Sequence, residues 1–272
     1  GVLGWEADGD YKIYVLGARG TGFKVKRAGP GGEGLVVNPF SEKAVENYLA
    51  NYGARIGNSF KGLRSWFHDS FEYVGNFSRG FLSEFERRRG YDLREHLDAF
   101  YGDADAEICG RVKCDYRVTL SEMLVENFMG QWNRWAHERG QLTRNQAHGS
   151  PGNLLDLYAA ADIGEVETFG PSEFEIPGLR RDENYDNAPV DVLMLKFASS
   201  AANVSGKKLV SCESFTWLGE HFKVSLQQVK PEFDQLLEAF PVIRERLSSG
   251  TRREETGHTR FPWQQPNEAT VF

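Results

Sequence analysis

The chain has 272 residues, 40% hydrophobic and 26% charged, the composition of an ordinary folded protein able to bury a substantial core. Thirty-nine acidic side chains against 32 basic ones give a net charge of −7, and basic residues cluster only in short runs such as Arg87-Arg88-Arg89. Phosphate backbones call for concentrated positive charge, so nucleic acid is excluded as the main partner, and no apolar stretch of about 18 residues exists to span a bilayer.

Tyr11–Val15 reads as a short strand. Seven glycines follow between Gly17 and Gly34, and then the apolar run Leu35-Val36-Val37, of the kind found in a buried parallel strand. Ser41 is a good N-cap for a helix over Ser41–Tyr52, with Glu42 and Glu46 favourable in its first turns. Leu63–Phe67 reads as the next strand and runs into His68-Asp69-Ser70-Phe71-Glu72. Helices are expected over Ser78–Arg89, stopped by Gly90, over Asp92–Tyr101, and over Val118–Glu138, where Leu120, Met123, Leu124, Phe128 and Trp132 recur at helical spacing.

Leu142–Gln146 reads as a strand followed by Ala147-His148-Gly149, then a helix over Gly152–Ala161 and a strand over Val166–Phe169 that carries Glu167. Gly170–Pro189 is a long acidic loop, and loops of that length in a compact domain tend to be functional or disordered. An apolar helix over Val190–Val204, a strand over Lys208–Cys212 and a helix over Ser225–Ala239, interrupted at Pro231, complete the regular part. Residues 1–240 are thus expected to be one barrel-like unit, and residues 241–272 a polar, poorly ordered tail.

Strand, polar loop and helix alternate, which implies βα units and a parallel sheet. Five or six strands are legible where a closed (β/α)8 barrel needs eight, so the expected fold is a TIM-type barrel incomplete at its C-terminus. Loops after barrel strands gather at one rim, and three of them here carry acids: Asp69 and Glu72, Glu167, and Glu213. Glu165 and Glu167 are two apart and project from the same side of their strand, one a candidate metal ligand and the other a solvated acid. Asn145, Gln146 and His148 offer neutral donors and acceptors suited to hydroxyl groups, although a lone His is more often structural. Glu213 stands beside Phe215 and Trp217, an acid next to ring platforms on which a sugar could stack.

Two carboxyl groups far apart in sequence but close at a rim meet the need of glycoside hydrolysis for one protonated and one ionised acid. The bland alternatives are that Glu72 caps an element or pairs with an Arg, and that Glu213 is an ordinary loop acid. No G-x-S-x-G, H-E-x-x-H or P-loop pattern occurs. Three cysteines, Cys109, Cys114 and Cys212, lack the paired Cys/His set of a zinc site.

The run Gln146-Ala147-His148-Gly149-Ser150-Pro151-Gly152-Asn153-Leu154-Leu155-Asp156-Leu157-Tyr158-Ala159-Ala160-Ala161-Asp162-Ile163 is similar to a segment of family 106 glycoside hydrolases. So are Arg27–Val36, Asp69-Ser70-Phe71-Glu72, Val166–Gly170, Glu213-Ser214-Phe215-Thr216 and Gln228–Gln235, in the same order over about Tyr11 to Ala239. The resemblance implies an α-L-rhamnosidase on a (β/α) barrel, with inversion at the anomeric carbon and a calcium ion in the site. Carried over, it makes Glu72 the general acid and Glu213 the general base. Glu167, for the calcium above all, and Asp69, for the sugar, become candidates for calcium or sugar contacts, beside Asn145, His148 and Trp217, whose own chemistry suits sugar contacts. It implies a carbohydrate substrate and an exported protein. The sequence shows no signal-peptide pattern, but a chain that opens on Gly rather than Met says little about export. Further barrel strands and accessory β domains are expected after Ala239, where this chain runs on as a polar segment. The rival expectation is a carbohydrate-binding remnant without catalysis.

Overall fold

A computed structural model describes residues 4, 6, 8–26, 28–57, 59–168, 192–215, 226–239 and 269–270. In chain order its elements are α1 (Glu42–Ile56), β1 (Ser65–His68), α2 (Phe81–Arg89), α3 (Leu97–Tyr101), α4 (Ala106–Met123), α5 (Gln131–His137), β2 (Leu142–Gln146), α6 (Leu154–Ala160), β3 (Ile163–Glu167), α7 (Val192–Val204), β4 (Val210–Ser214), α8 (Leu226–Ala239) and β5 (Ala269–Thr270). A 3-10 turn at Leu93–His96 precedes α3, and a π-helical segment, Leu124–Gly130, joins α4 to α5.

β1 to β4 pair in parallel, in the order of the sequence, and β5 closes antiparallel on β4. Sequential order differs from that of a doubly wound sheet, whose order reverses at a switch point. The described residues thus form an α/β unit with a four-strand parallel sheet. Among them no helix is long and apolar enough to cross a membrane.

Local chemistry explains the element boundaries. Ser41 caps α1 by accepting from the Ala44 amide, and Asp105 and Asn153 cap α4 and α6 in the same way. Gly90 and Gly102 end α2 and α3 in the left-handed conformation. Apolar spacing then buries one stripe of the helices. Leu120, Met123, Leu124, Met129, Trp132 and Ala136 line the continuous α4–α5 rod, and Trp135 meets Trp66 of β1 at 5.0 Å between ring centroids. Against β3, a Cβ at Gly164 would stand 3.3 Å from the Ala198 Cβ of α7 and 3.4 Å from Tyr158 of α6, so glycine here lets both helices lie close on the sheet.

The structure corrects several sequence expectations. Tyr11–Val15 forms no strand: Tyr11, Ile13 and Val15 are exposed, and the segment docks on α3 through Tyr14 stacked on Tyr101 and bonded to Asp103. Leu35–Val37 is not a buried parallel strand. Leu35 is exposed and makes an isolated antiparallel bridge to Lys24, and the glycines around it supply the turn. The long helix begins at Ala106, not Val118, because Asp105 supplies the cap. Pro231 lies inside a continuous α8 and does not interrupt it. β3 begins three residues earlier than the expected Val166, at Ile163, because the register with β2 and β4 outweighs local propensity. The acidic loop Gly170–Pro189 lies outside the described residues. Of the expected tail, Ala269 and Thr270 are described, and they pair with β4.

Candidate active site

Side chains alternate along a strand, so the register divides the sheet into two faces. On the face away from the helices lie Phe67 of β1, Arg144 and Gln146 of β2, Ile163, Glu165 and Glu167 of β3, and Ser211 and Glu213 of β4, aligned as Phe67–Arg144–Ile163, Gln146–Glu165–Ser211 and Glu167–Glu213. Parallel strands covered on both faces are usually apolar on both. Here one face is polar and nevertheless buried: Gln146, Glu165 and Ser211 are at most 1% exposed, and Glu167 is 5% exposed.

Burying carboxylates is costly unless they find donors. Glu165 accepts from the Ser211 hydroxyl and from Gln146 Nε2 at 3.1 Å, and the Arg144 guanidinium lies 3.1 Å away as its counter-ion. Arg144 makes that contact as an ion pair rather than an aligned hydrogen bond, and its guanidinium rests on the Phe67 ring at 4.3 Å. Burial pushes the Glu165 carboxyl above its ordinary range, against the pull of Arg144, Ser211 and Gln146. Gln146 Nε2 also reaches Glu213 Oε2 at 2.7 Å, so one amide bonds two carboxylates.

Glu167 lies 3.0 Å from His148 Nε2, and His148 Nδ1 lies 3.2 Å from the Tyr158 hydroxyl. With Nε2–H donating to the carboxylate, Nδ1 is left to accept from Tyr158, which fixes one imidazole tautomer. The ends of β3 and β4 are then locked together: the Thr168 amide donates to the Glu213 carbonyl, and the Phe215 amide donates to Thr168 Oγ1. Phe215 adopts φ +69°, a left-handed conformation that a bulky residue tolerates only where its surroundings impose it.

At the other edge of the sheet His68 Nδ1 donates to Asn145 Oδ1 at 2.9 Å, and its ring packs against Phe71, Phe128 and Trp132. Enclosure by these rings pushes the imidazole down to about 4, against the opposing pull of Asn145 and the charge of Asp69. Beyond β1, the Phe71 amide donates to the His148 carbonyl, which stitches the loop after β1 to the loop after β2. Gly149 makes this approach workable. Its φ is +77°, and a Cβ there would stand 2.3 Å from the Phe71 carbonyl oxygen.

A family model described as alpha-L-rhamnosidase, glycoside hydrolase family 106, matches residues 1–240. The chain belongs to this family. A solved structure of a rhamnosidase from Novosphingobium sp. PP1Y superposes with a TM-score of 0.61 at 26% identity, covering 80% of this chain and 21% of that one. A protein of Formosa agariphila titled "Putative beta-glucuronidase" is 30% identical over 233 residues, 80% of this chain and 18% of its own length. The family 106 chain therefore spans about a fifth of the length of these relatives.

The family 106 sheet brings some expected residues together. Glu167 and Glu213 are register partners, Glu167 holds His148, and Asn145 holds His68. Asn145 and His148 therefore sit in buried side-chain pairs. The Asp69 carboxylate accepts from the Ser70 amide at 2.8 Å in a local turn. Glu72 stands four residues past β1, exposed and ion-paired with Lys26 of the glycine-rich segment. Trp217 lies outside the described residues. Neither acid of the Glu165/Glu167 pair is solvated, because both are enclosed on the polar face. For calcium, whose shell takes six to eight oxygens, the fit is incomplete. Among the described residues no group of three or more His, Cys, Asp and Glu could hold a metal, and one Glu167 oxygen is engaged by His148.

Sequence reasoning missed Arg144, the bridging role of Gln146 and the anchoring of Glu165 by Ser211. A signal was there: Arg144/Gln146, Glu165/Glu167 and Ser211/Glu213 each repeat at a spacing of two on three successive strands.

Proposed function

We propose that this chain forms the first half of a (β/α)8 catalytic barrel and supplies both acids of an inverting α-L-rhamnosidase. One observation carries the reading: Glu213 lies one residue from the C-terminal end of β4 in an in-order parallel sheet, on its polar face, while Glu72 follows the same end of β1. Parallel strands present their following loops at one rim, where barrel enzymes work. β1 and β4 are three strand spacings apart, about 14 Å along a flat sheet. Curling into a barrel shortens that path toward the roughly 6.5–9.5 Å between the carboxyl groups of inverting enzymes.

In this reading Glu72 protonates the leaving oxygen, so bound substrate must first displace Lys26 from its carboxyl. Glu213, oriented by Gln146, takes a proton from the water that attacks the opposite face of the sugar. His148 holds Glu167 beside Glu213 and keeps that carboxylate from turning away. The rhamnosidase title of the structural relative favours rhamnose, and the glucuronidase title of the other relative makes an aryl β-glucuronide the necessary control.

The test is hydrolysis of an aryl α-L-rhamnoside, with the first-formed anomer read by NMR. Release of β-L-rhamnose, lost in both Glu72→Gln and Glu213→Gln, is the expected result. Retained anomeric configuration or near-normal turnover in either variant refutes the assignment. Rhamnose binding without hydrolysis by the unmodified chain would instead establish the carbohydrate-binding remnant.

A further inference from the structure

Gln146 is fully buried on β2, in register with Glu165 of β3. Its amide nitrogen has two hydrogens and two carboxylate acceptors, Glu213 Oε2 at 2.7 Å and Glu165 Oε1 at 3.1 Å. The opposite amide orientation would set a carbonyl oxygen against both carboxylates, so the arrangement fixes which way the amide faces. Glu165 is immobilised in turn by the Ser211 hydroxyl from β4 and the Arg144 guanidinium from β2. Arg144 is itself held over Phe67 of β1. Side chains from all four parallel strands are therefore linked in one network that reaches this amide through Glu165.

We propose that Gln146 is a positioning residue for Glu213, its amide tying that carboxylate to a fixed anchor of Glu165, Arg144 and Ser211. The proposal rests on the reading of Glu213 as the base. A base must hold its oxygen in line with the attacking water, and a displacement of about 1 Å costs roughly a hundredfold in rate. A carboxylate at a strand end retains torsional freedom about its last bonds. A donor carried by a packed neighbouring strand removes that freedom without touching the sugar.

The experiment uses the protein and two α-L-rhamnosides, one with an activated aryl leaving group and one with a poor alkyl leaving group. Loss of a general acid is felt mainly on the poor leaving group, whereas loss of the base is felt on both. Glu213→Gln should therefore fail on both, and Gln146→Met, similar in volume but without donors, should follow it with kcat down about a hundredfold on both. KM should stay within about threefold, since the ground-state sugar is bound by other groups.

If Glu213→Gln turns over normally, the base reading itself falls. If Glu213→Gln is inactive while Gln146→Met keeps its kcat, or loses only KM or thermal stability, the base stands and the positioning role is refuted. Should Gln146→Met fail to fold, Gln146→Asn carries the test, because its amide is one methylene too short to reach Glu213. It too should lose kcat at unchanged KM, and a normal kcat would overturn the proposal.

Discussion

Gly164 and Val166 of β3 are buried on its helix side, Gly164 beneath Ala198 and Tyr158, while Glu165 and Glu167 of the same strand point the other way into a network of Arg144, Gln146, Ser211 and His148. The two faces solve different problems. The helix side of β3 is apolar, and its packing supports the fold at about 25 cal/mol per Å² of buried apolar surface. The other side keeps the Glu165 and Glu167 carboxylates out of water, which is costly and is offset by donors from neighbouring strands and loops. A sheet that needed only stability could fill both faces with Val and Ile. The difference teaches that alternate positions of a parallel strand can be assigned separately, one to the fold and the next to the site.

Substitutions on the two sides should separate activity from stability. The largest effect is expected for Glu213→Gln, an isosteric change on the polar face. It should lower kcat on an aryl α-L-rhamnoside at least about a thousandfold, with the thermal midpoint moved by no more than about 2 °C. A matched loss of stability and activity would break the division of faces.

Gly149→Ala comes next. Its Cβ would strike the Phe71 carbonyl at 2.3 Å, at a positive φ, so a loss of about 3 kcal/mol is expected in urea unfolding. Because Phe71 precedes Glu72, the same variant should lose activity with a poor leaving group first. Full stability would mean that the stitch between the two loops is loose.

Val166→Ala tests the helix side. It should cost about 2 kcal/mol by cavity formation and leave kcat/KM within about twofold when assayed well below the thermal midpoint.

The smallest effect is a pH dependence from His68. Its folded pKa lies near 4, below the unfolded value of 6.5, so the unfolded chain takes up more protons between those values. The stability it contributes is complete above about pH 6.5 and falls as pH drops toward 4. His68→Gln should flatten that part of the stability–pH curve, and an unchanged curve would show that the ring is more hydrated than its aromatic surroundings imply.

Much of the fold is legible from local chemistry. Ser41, Gly90 and the apolar repeat Leu120, Met123, Leu124 mark helices because caps and 3.6-residue spacing act over a few residues. β1, β2 and β4 are legible as short apolar or polar-ended runs followed by acids. The exposed Tyr11–Val15 reads as a strand because β-propensity cannot tell whether a partner strand is available. Of the candidate site, Glu213, Glu167, His148 and Asn145 are visible as polar residues at strand ends. That Asn145 faces His68, and Glu167 faces His148, is not visible, because those partners lie 77 and 19 residues away.

Taken by itself, the sequence determines the helices, the strand–loop–helix alternation and the family motifs, all of which are written in adjacent residues. Register is decided only by the tertiary structure. Sliding β2 by one position would send Gln146 to the helix side and Asn145 to the carboxylates, reversing every role on that strand. Packing of Gly164 against Ala198 and Tyr158, and of Trp66 against Trp135, holds β3 and β1 against their helices, and that packing is a property of the assembled fold rather than of any segment.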